Sequence, residues 1–147
     1  MLARTGSVLL KFVTTILTLI SFAQIAALSQ AVKPQISTLN SSKIPRGCSY
    51  TLDDWKGNLL VWAPYLALSD SGNLLISIDG KIKAIPINQG RDDGRISAFD
   101  GKYYVEVHTP KWKQTGSELR NSRATFKVIN THAHTETKLI VRASQGC

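Results

Sequence analysis

Apolar and polar residues alternate along much of the chain, and turn-favouring residues interrupt the alternation at short intervals. Two Asp-Gly pairs, Asp79-Gly80 and Asp100-Gly101, each separate two apolar-rich runs, which is a strong signal for a β-hairpin. We find no segment with a sustained helical period. The pattern predicts an all-β domain of about 7–8 short strands, arranged as a small antiparallel β-sandwich or barrel.

The first hairpin, in residues 72–87, has a register that can be argued from its hydrophobic residues. A two-residue turn at Asp79-Gly80 places Lys81 and Lys83 on the same face as the isoleucines opposite them. A three-residue turn shifts the pairing by one residue and exchanges the two faces. We therefore predict a three-residue turn with a bulge and with Gly80 at positive φ. The predicted inner face consists of Leu74, Ile76, Ile82 and Ala84.

The second hairpin alternates around Asp100-Gly101, and a two-residue turn there pairs Ala98 with Tyr103. The predicted inner face consists of Ile96, Ala98, Tyr103, Val105 and Val107. The predicted outer face consists of Ser97, Lys102, Tyr104, Glu106 and His108. A polar loop over residues 109–121 and two last strands, over residues 124–129 and 137–143, complete the domain. We expect Phe126 and Val128 to point inward with Leu139 and Val141.

The N-terminal region has the order of segments found in a secretory signal peptide. Arg4 and Lys11 precede an apolar run, and small residues stand before a plausible cleavage position after Ala31. The alternative is an uncleaved membrane anchor, although the run is short and rather polar for a span. We predict a signal peptide over residues 1–31, a flexible linker over 32–46 and an all-β domain over 47–147. The protein is then secreted or periplasmic, with no transmembrane domain after cleavage.

The cysteine count agrees with export. The chain has 2 cysteines, Cys48 and Cys147. An even number of cysteines in an exported chain predicts a disulfide, which here joins the start of the domain to its last residue. A domain of this size has a modest core, so a crosslink contributes usefully to its stability.

The charge balance narrows the class of partner. The chain has 18 basic and 10 acidic residues and a net charge of +8. Residues 1–31 contain two of the basic residues and no acidic one, so the remainder keeps a net charge of +6. A basic surface favours an anionic polymer, a glycan or an acidic envelope protein as partner. The basic residues form no block, so we expect no nucleic acid as partner.

The best candidate contact site is Lys111-Trp112-Lys113. A tryptophan between two lysines offers a stacking surface beside positive charge, which suits a sugar ring, a nucleobase or an anionic polymer. The alternative is that Trp112 folds back over the core. Trp55 and Trp62 adjoin predicted strand residues, and we expect both in the core.

Histidines provide a weaker candidate. His132 and His134 form a His-x-His pair, and His108 lies on the second predicted hairpin. Three histidines can bind zinc or copper. The alternative is that all three are solvated, because no acidic or cysteine ligand lies near them in sequence.

Catalytic motifs give no positive signal. The chain has no G-x-S-x-G, no H-E-x-x-H, no phosphate-binding glycine loop and no dinucleotide fingerprint. Asp53-Asp54 is a pair of carboxylates, but glycosidase carboxylates act across a cleft and leave no local signature. We predict an exported, non-enzymatic binding or interaction module that needs no cofactor. The alternative is a small envelope hydrolase or a metal-dependent enzyme.

Overall fold

The computed structural model describes residues 31–65, 72–91 and 94–147, and the predicted signal peptide therefore lies almost entirely outside the described residues. These residues form ten β-strands and one short 3-10 helix, Ser41–Lys43. The strands are β1 Ile36–Ser37, β2 Ser49–Asp53, β3 Leu59–Pro64, β4 Asn73–Ile78, β5 Lys81–Arg91, β6 Arg95–Phe99, β7 Tyr103–His108, β8 Lys113–Gln114, β9 Arg120–Asn130 and β10 Thr135–Gly146. No helix in this part of the chain is long and apolar enough to cross a membrane.

Eight of the strands close into an antiparallel barrel. Each strand from β2 to β6 pairs with the next one along the chain, β7 pairs with β9, β9 with β10, and β10 with β2. The all-β prediction is confirmed, and the closed sheet is a barrel rather than a sandwich. Strand β1 adds to β4, and β8 adds to β9. Closure gives both edges of the sheet a partner, which protects them from pairing with other chains.

Side chains fill the interior, as expected for a barrel of this strand number. The largest fully buried side chains are Tyr50, Phe126, Leu52, Leu74, Ile76, Ile78, Ile85, Ile96, Val61, Val105, Val107 and Val128. The inward positions predicted for Phe126, Val128 and Val141 are confirmed, and Leu139 packs against the core while half-buried. The packed interior leaves no room for a ligand among the described residues, so a binding site must lie on the outer surface or on the connecting segments.

The predicted disulfide is confirmed. Cys48 and Cys147 are bonded, with their Cα atoms 3.8 Å apart and a sequence separation of 99. They stand beside the pair formed by Ser49 of β2 and Gly146 of β10, where the first and last barrel strands meet. A crosslink over so long a loop stabilises by restricting the unfolded chain, by about 4–5 kcal/mol in the chain-entropy model.

The predicted register of the first hairpin is wrong. The turn contains two residues, because Ile78 pairs with Lys81 and Ile76 with Lys83. Ile76 is fully buried, whereas the Ile82 side chain is 46% exposed, so the two isoleucines lie on opposite faces. The true inner face of this hairpin is Leu74, Ile76, Ile78, Ile85 and Ile87.

The lysines that argued against this register are accommodated at the end of the barrel. Lys81 stands next to the turn and is exposed. Lys83 is half-buried, and its ammonium group lies 5.1 Å from the centre of the Tyr103 ring. Long lysine stems can cover apolar surface while the charge stays in water or over an aromatic ring. The contact between Lys83 and Tyr103 joins two hairpins, so it cannot be predicted from the alternation within one of them.

The second hairpin has the predicted faces and a different register. All the predicted inner residues are buried, but Ala98 pairs with Val105 instead of Tyr103. The turn is two residues longer than predicted, because Phe99 pairs with Tyr104. Within this turn the Asp100 carboxylate accepts hydrogen bonds from the backbone N–H groups of Lys102 and Tyr103. A shift of two residues preserves the faces, whereas a shift of one exchanges them.

The segment predicted as a flexible linker packs on the barrel, so that expectation is wrong for its N-terminal part. Ile36 of β1 pairs with Ile78, and the Leu39 side chain is only 4% exposed. The Leu39 N–H donates to the carbonyl of Leu59 at 2.8 Å. The compact unit accordingly spans Val32–Cys147. Two apolar anchors in a polar segment suffice here because β3 leaves part of the β4 edge vacant.

Candidate functional site

A groove of about 650 Å³ lies on the outer surface, where β9, β10, the segment after β7 and the turn after β2 meet. We call it the aromatic-basic groove. It is lined by Trp55, Pro110, Lys111, Trp112, Lys113, Asn121, Ser122, Arg123 and Arg142. Among the described residues, the lining contains two indole rings, four cationic side chains and no carboxylate. The structure therefore places the predicted Lys111-Trp112-Lys113 segment in a wider site.

The segment that carries Trp112 is held at both ends. The Thr109 N–H donates to the carbonyl of Gly94 at 2.9 Å, and Lys113 pairs with Asn121 of β9. Gly94 has a φ of +83°, and a Cβ at this position would clash with the Thr109 backbone. The close approach of two backbones at Gly94 thus requires glycine and directs the segment towards β9.

Trp112 combines the two alternatives considered from the sequence. It is half-buried and packs on the core, with its ring 5.9 Å from the Tyr50 ring in an edge-to-face arrangement. The Tyr50 hydroxyl and the Thr109 hydroxyl are hydrogen-bonded at 2.9 Å, and burial strongly raises the pKa of Tyr50. Trp112 also lines the groove. The core contact therefore orients an indole that remains part of the groove wall.

Trp55 is on the surface, so the expectation of a core position is wrong. Its side chain is 65% exposed, and its Nε1–H donates to the carbonyl of Ile140 at 3.1 Å. It follows Asp54, whose carboxylate accepts hydrogen bonds from the backbone N–H groups of Lys56 and Asn58 and fixes the turn. Trp62, the other expected core residue, is half-buried between the buried Val61 and Ala63. An exposed indole held by one directional hydrogen bond is preset for contact with a ligand.

The basic side chains of the groove come from two strands as well as from the segment after β7. Arg123 of β9 stands directly opposite Arg142 of β10. Like charges at opposite positions of an antiparallel pair are unfavourable unless something neutralises them. Asp53 lies 3.7 Å from Arg142, and burial raises the pKa of Asp53 while Arg142 lowers it. Within the described chain Arg123 makes no ion pair.

One polar atom of the groove wall is unsatisfied. The side-chain Oδ1 of Asn121 is buried and accepts no hydrogen bond from the described residues. A buried acceptor without a donor costs about 1–3 kcal/mol. Asn121 lines the groove beside Arg123, so a donor group on a bound molecule can satisfy this oxygen when the side chain turns towards the groove.

The three histidines do not come together. His108 pairs with Thr125 of β9, whereas His132 and His134 follow Asn130, about 17 Å further along the same strand. Among the described residues no group of three or more His, Cys, Asp and Glu side chains is placed to hold a metal ion. The structure thus gives the histidine hypothesis no common site.

The carboxylate pair Asp53-Asp54 has structural roles. The pKa of Asp54 is lowered, first by its hydrogen bond with the Asn58 side chain. Asp54 holds the turn that carries Trp55, and Asp53 is paired with Arg142. Both carboxylates are therefore engaged in contacts within the fold.

Sequence reasoning missed Trp55, Arg123 and Arg142 as members of the site. Each is unremarkable in its own stretch of sequence, and the pairings of β9 with β8 and β10 and of β10 with β2 bring them to Trp112. Knowing the length of the β9–β10 turn would have placed Arg123 opposite Arg142.

The chain matches no protein-family model, and no curated protein or solved structure is significantly similar to it.

Proposed function

We propose that the protein is an exported, non-enzymatic binding module that holds an anionic ligand in the aromatic-basic groove. The observation that carries the proposal is the meeting of two indoles and four cationic side chains in one groove. Indole faces offer stacking surface, and Lys and Arg supply the charge that attracts and orients an anion. The net charge of +6 that remains without residues 1–31 adds a long-range attraction for the same class of ligand.

Two features support export. The N-terminal residues have the basic, apolar and small-residue order of a secretory signal. The Cys48–Cys147 disulfide is of a kind that persists in oxidising compartments. In such a compartment, secreted or periplasmic, the ligand is an anionic polymer, a glycan or an acidic surface of an envelope protein.

The proposal is tested by titrating the purified protein with heparin, a sulfated polysaccharide, and following tryptophan fluorescence at several salt concentrations. Trp55→Ala should weaken binding, because Trp55 is exposed and its removal does not open the core. The double variant Lys111→Ala/Lys113→Ala should weaken binding and reduce its salt dependence, since it removes two charges from the groove.

A matched control separates the groove from net charge. Lys81→Ala/Lys102→Ala removes the same number of charges at the hairpin turns, which lie at the other end of the barrel from Pro110. This control should bind heparin nearly as well as the unaltered protein. An equal loss of affinity in both double variants would show that only overall charge matters and would overturn the proposed groove.

A further inference from the structure

We infer that Arg123 and Arg142 form a subsite for one carboxylate of an acidic oligosaccharide, whose sugar rings lie against the indoles of the aromatic-basic groove. This inference rests on the proposed function and names the chemistry of its ligand. We call Arg123 and Arg142 together the arginine fork. The fork, the two indoles and the unsatisfied oxygen of Asn121 come from four separate segments of the chain.

The strand register places the two arginines next to each other on one face of the sheet. Arg123 and Arg142 are opposite residues of β9 and β10, so their Cα atoms are about 4.5–5.5 Å apart. Both are exposed, between buried or half-buried neighbours on their strands, and both line the groove. A carboxylate has two oxygens that accept hydrogen bonds from guanidinium groups, and its negative charge would relieve the repulsion between the two arginines.

Asp53 makes this fork asymmetric. Its carboxylate lies 3.7 Å from one guanidinium nitrogen of Arg142, a distance beyond a good hydrogen bond. Arg142 has five N–H donors, so an incoming carboxylate can bind without displacing Asp53. Asp53 nevertheless competes for the same positive charge. Removing the Asp53 charge should therefore strengthen the binding of an anion.

The remaining groups favour a sugar acid over a nucleic acid. Asn121 presents a buried oxygen that lacks a donor, and a sugar hydroxyl is a donor. The phosphodiester backbone of DNA has acceptors only. Trp55 and Trp112 offer flat apolar surfaces of the kind on which the C–H face of a sugar ring packs. The disulfide is typical of compartments outside the cytosol, where acidic glycans are more common than nucleic acids.

The test is calorimetric titration of the purified, disulfide-intact protein with a short oligogalacturonate. The same oligosaccharide as its neutral methyl ester, a single-stranded oligonucleotide and inorganic polyphosphate are titrated in parallel. The oligogalacturonate should bind, and the methyl ester should bind at least about tenfold more weakly, because charge-assisted hydrogen bonds to the carboxylate are lost.

Three variants test the fork itself. Arg123→Gln should weaken oligogalacturonate binding about tenfold or more and bring the acid and its ester close together. Lys138→Gln is the matched control, because Lys138 is an exposed residue of β10, four positions before Arg142, and lies outside the groove lining. The affinity of Lys138→Gln for oligogalacturonate should be nearly unchanged. Asp53→Asn should bind the oligogalacturonate several-fold more tightly, a gain that loss of folding cannot imitate.

The outcomes separate the inference from the proposed function. Binding of polyphosphate, of the oligonucleotide or, through its sulfate groups, of heparin without binding of oligogalacturonate would overturn the carboxylate subsite and leave an anion-binding groove. Equal affinity for the acid and its ester, or equal losses in Arg123→Gln and Lys138→Gln, would also overturn the subsite. Failure to bind any of these polyanions would overturn both proposals.

Discussion

The two Asp-Gly hairpins share a dipeptide and use it differently. In the hairpin of β6 and β7 the Asp100 carboxylate accepts N–H groups of its own turn, from Lys102 at 2.9 Å and Tyr103 at 2.7 Å. In the hairpin of β4 and β5 the Asp79 carboxylate reaches other segments. It accepts the Gln35 N–H at 2.9 Å and the Tyr103 hydroxyl at 3.1 Å.

The Asp100 carboxylate stabilises only its own turn, whereas the Asp79 carboxylate binds segments that are distant in sequence. Asp79 and Gly80 both have positive φ, 52° and 75°, so the backbone itself makes the tight turn and leaves the carboxylate free for tertiary contacts. Through Asp79 the first hairpin holds the N-terminal strand β1 and the start of β7 together. The same pair of amino acids therefore fixes a local turn in one place and joins three segments in another.

The largest expected effect tests which face of the first hairpin is buried. Ile76→Ala should lower the free energy of unfolding by about 2–5 kcal/mol, because it leaves a cavity in the barrel. Ile82→Ala deletes the same atoms from a side chain that is 46% exposed and should cost well below that range. Urea unfolding of both variants measures the difference. Equal costs would contradict the observed register.

A smaller effect is expected from the turn backbone. Gly80→Val should cost about 1–3 kcal/mol, because a β-branched residue resists a φ of +75° even though the space around the new Cβ is open. Gly116→Ala is the control, since Gly116 has no positive φ and its Cβ would make ordinary contacts. Thermal unfolding compares the two. A neutral Gly80→Val would show that the tight turn is not required.

Replacing Asp79 or Asp100 should lower the free energy of unfolding by similar amounts but loosen different parts of the barrel. Asp79→Ala and Asp100→Ala should each cost about 1 kcal/mol, because each removes two hydrogen bonds at an exposed carboxylate. Only Asp79→Ala should speed amide hydrogen exchange in β1, because Asp79 also accepts the Gln35 N–H. Faster exchange in β1 with Asp100→Ala would remove the distinction between a local and a tertiary aspartate.

The smallest effect concerns pH and the link between the hairpins. Burial and the hydrogen bond to Asp79 raise the pKa of Tyr103 above its ordinary value of 10.0. The folded state therefore holds this proton more tightly than the unfolded state, and stability is complete below pH 10 and falls as the pH rises above it. Tyr103→Phe should make the loss of stability above pH 10 less steep. Identical alkaline unfolding curves would contradict the link.

The amino-acid pattern determined what depends on residues near one another in sequence. Alternation has a period of two, so the inner face of the second hairpin, Phe126 and Val128 of β9, and the all-β class could be predicted without knowing strand partners. The cysteine count determined the crosslink, because two cysteines allow one intramolecular pairing. The Lys111-Trp112-Lys113 segment could be selected as a candidate because its three residues are adjacent.

Tertiary structure decided everything that depends on which strands meet. A barrel and a sandwich have the same alternation, and only the pairing of β10 with β2 distinguishes them. The register of the first hairpin leaves Lys83 beside the ring of Tyr103, which lies in another hairpin, and the sequence around Lys83 does not show this contact. Strand β1 depended on a vacant length of the β4 edge. The groove depended on the register that puts Arg123 opposite Arg142, since a pairing contact between distant residues has no signature in the sequence around either one.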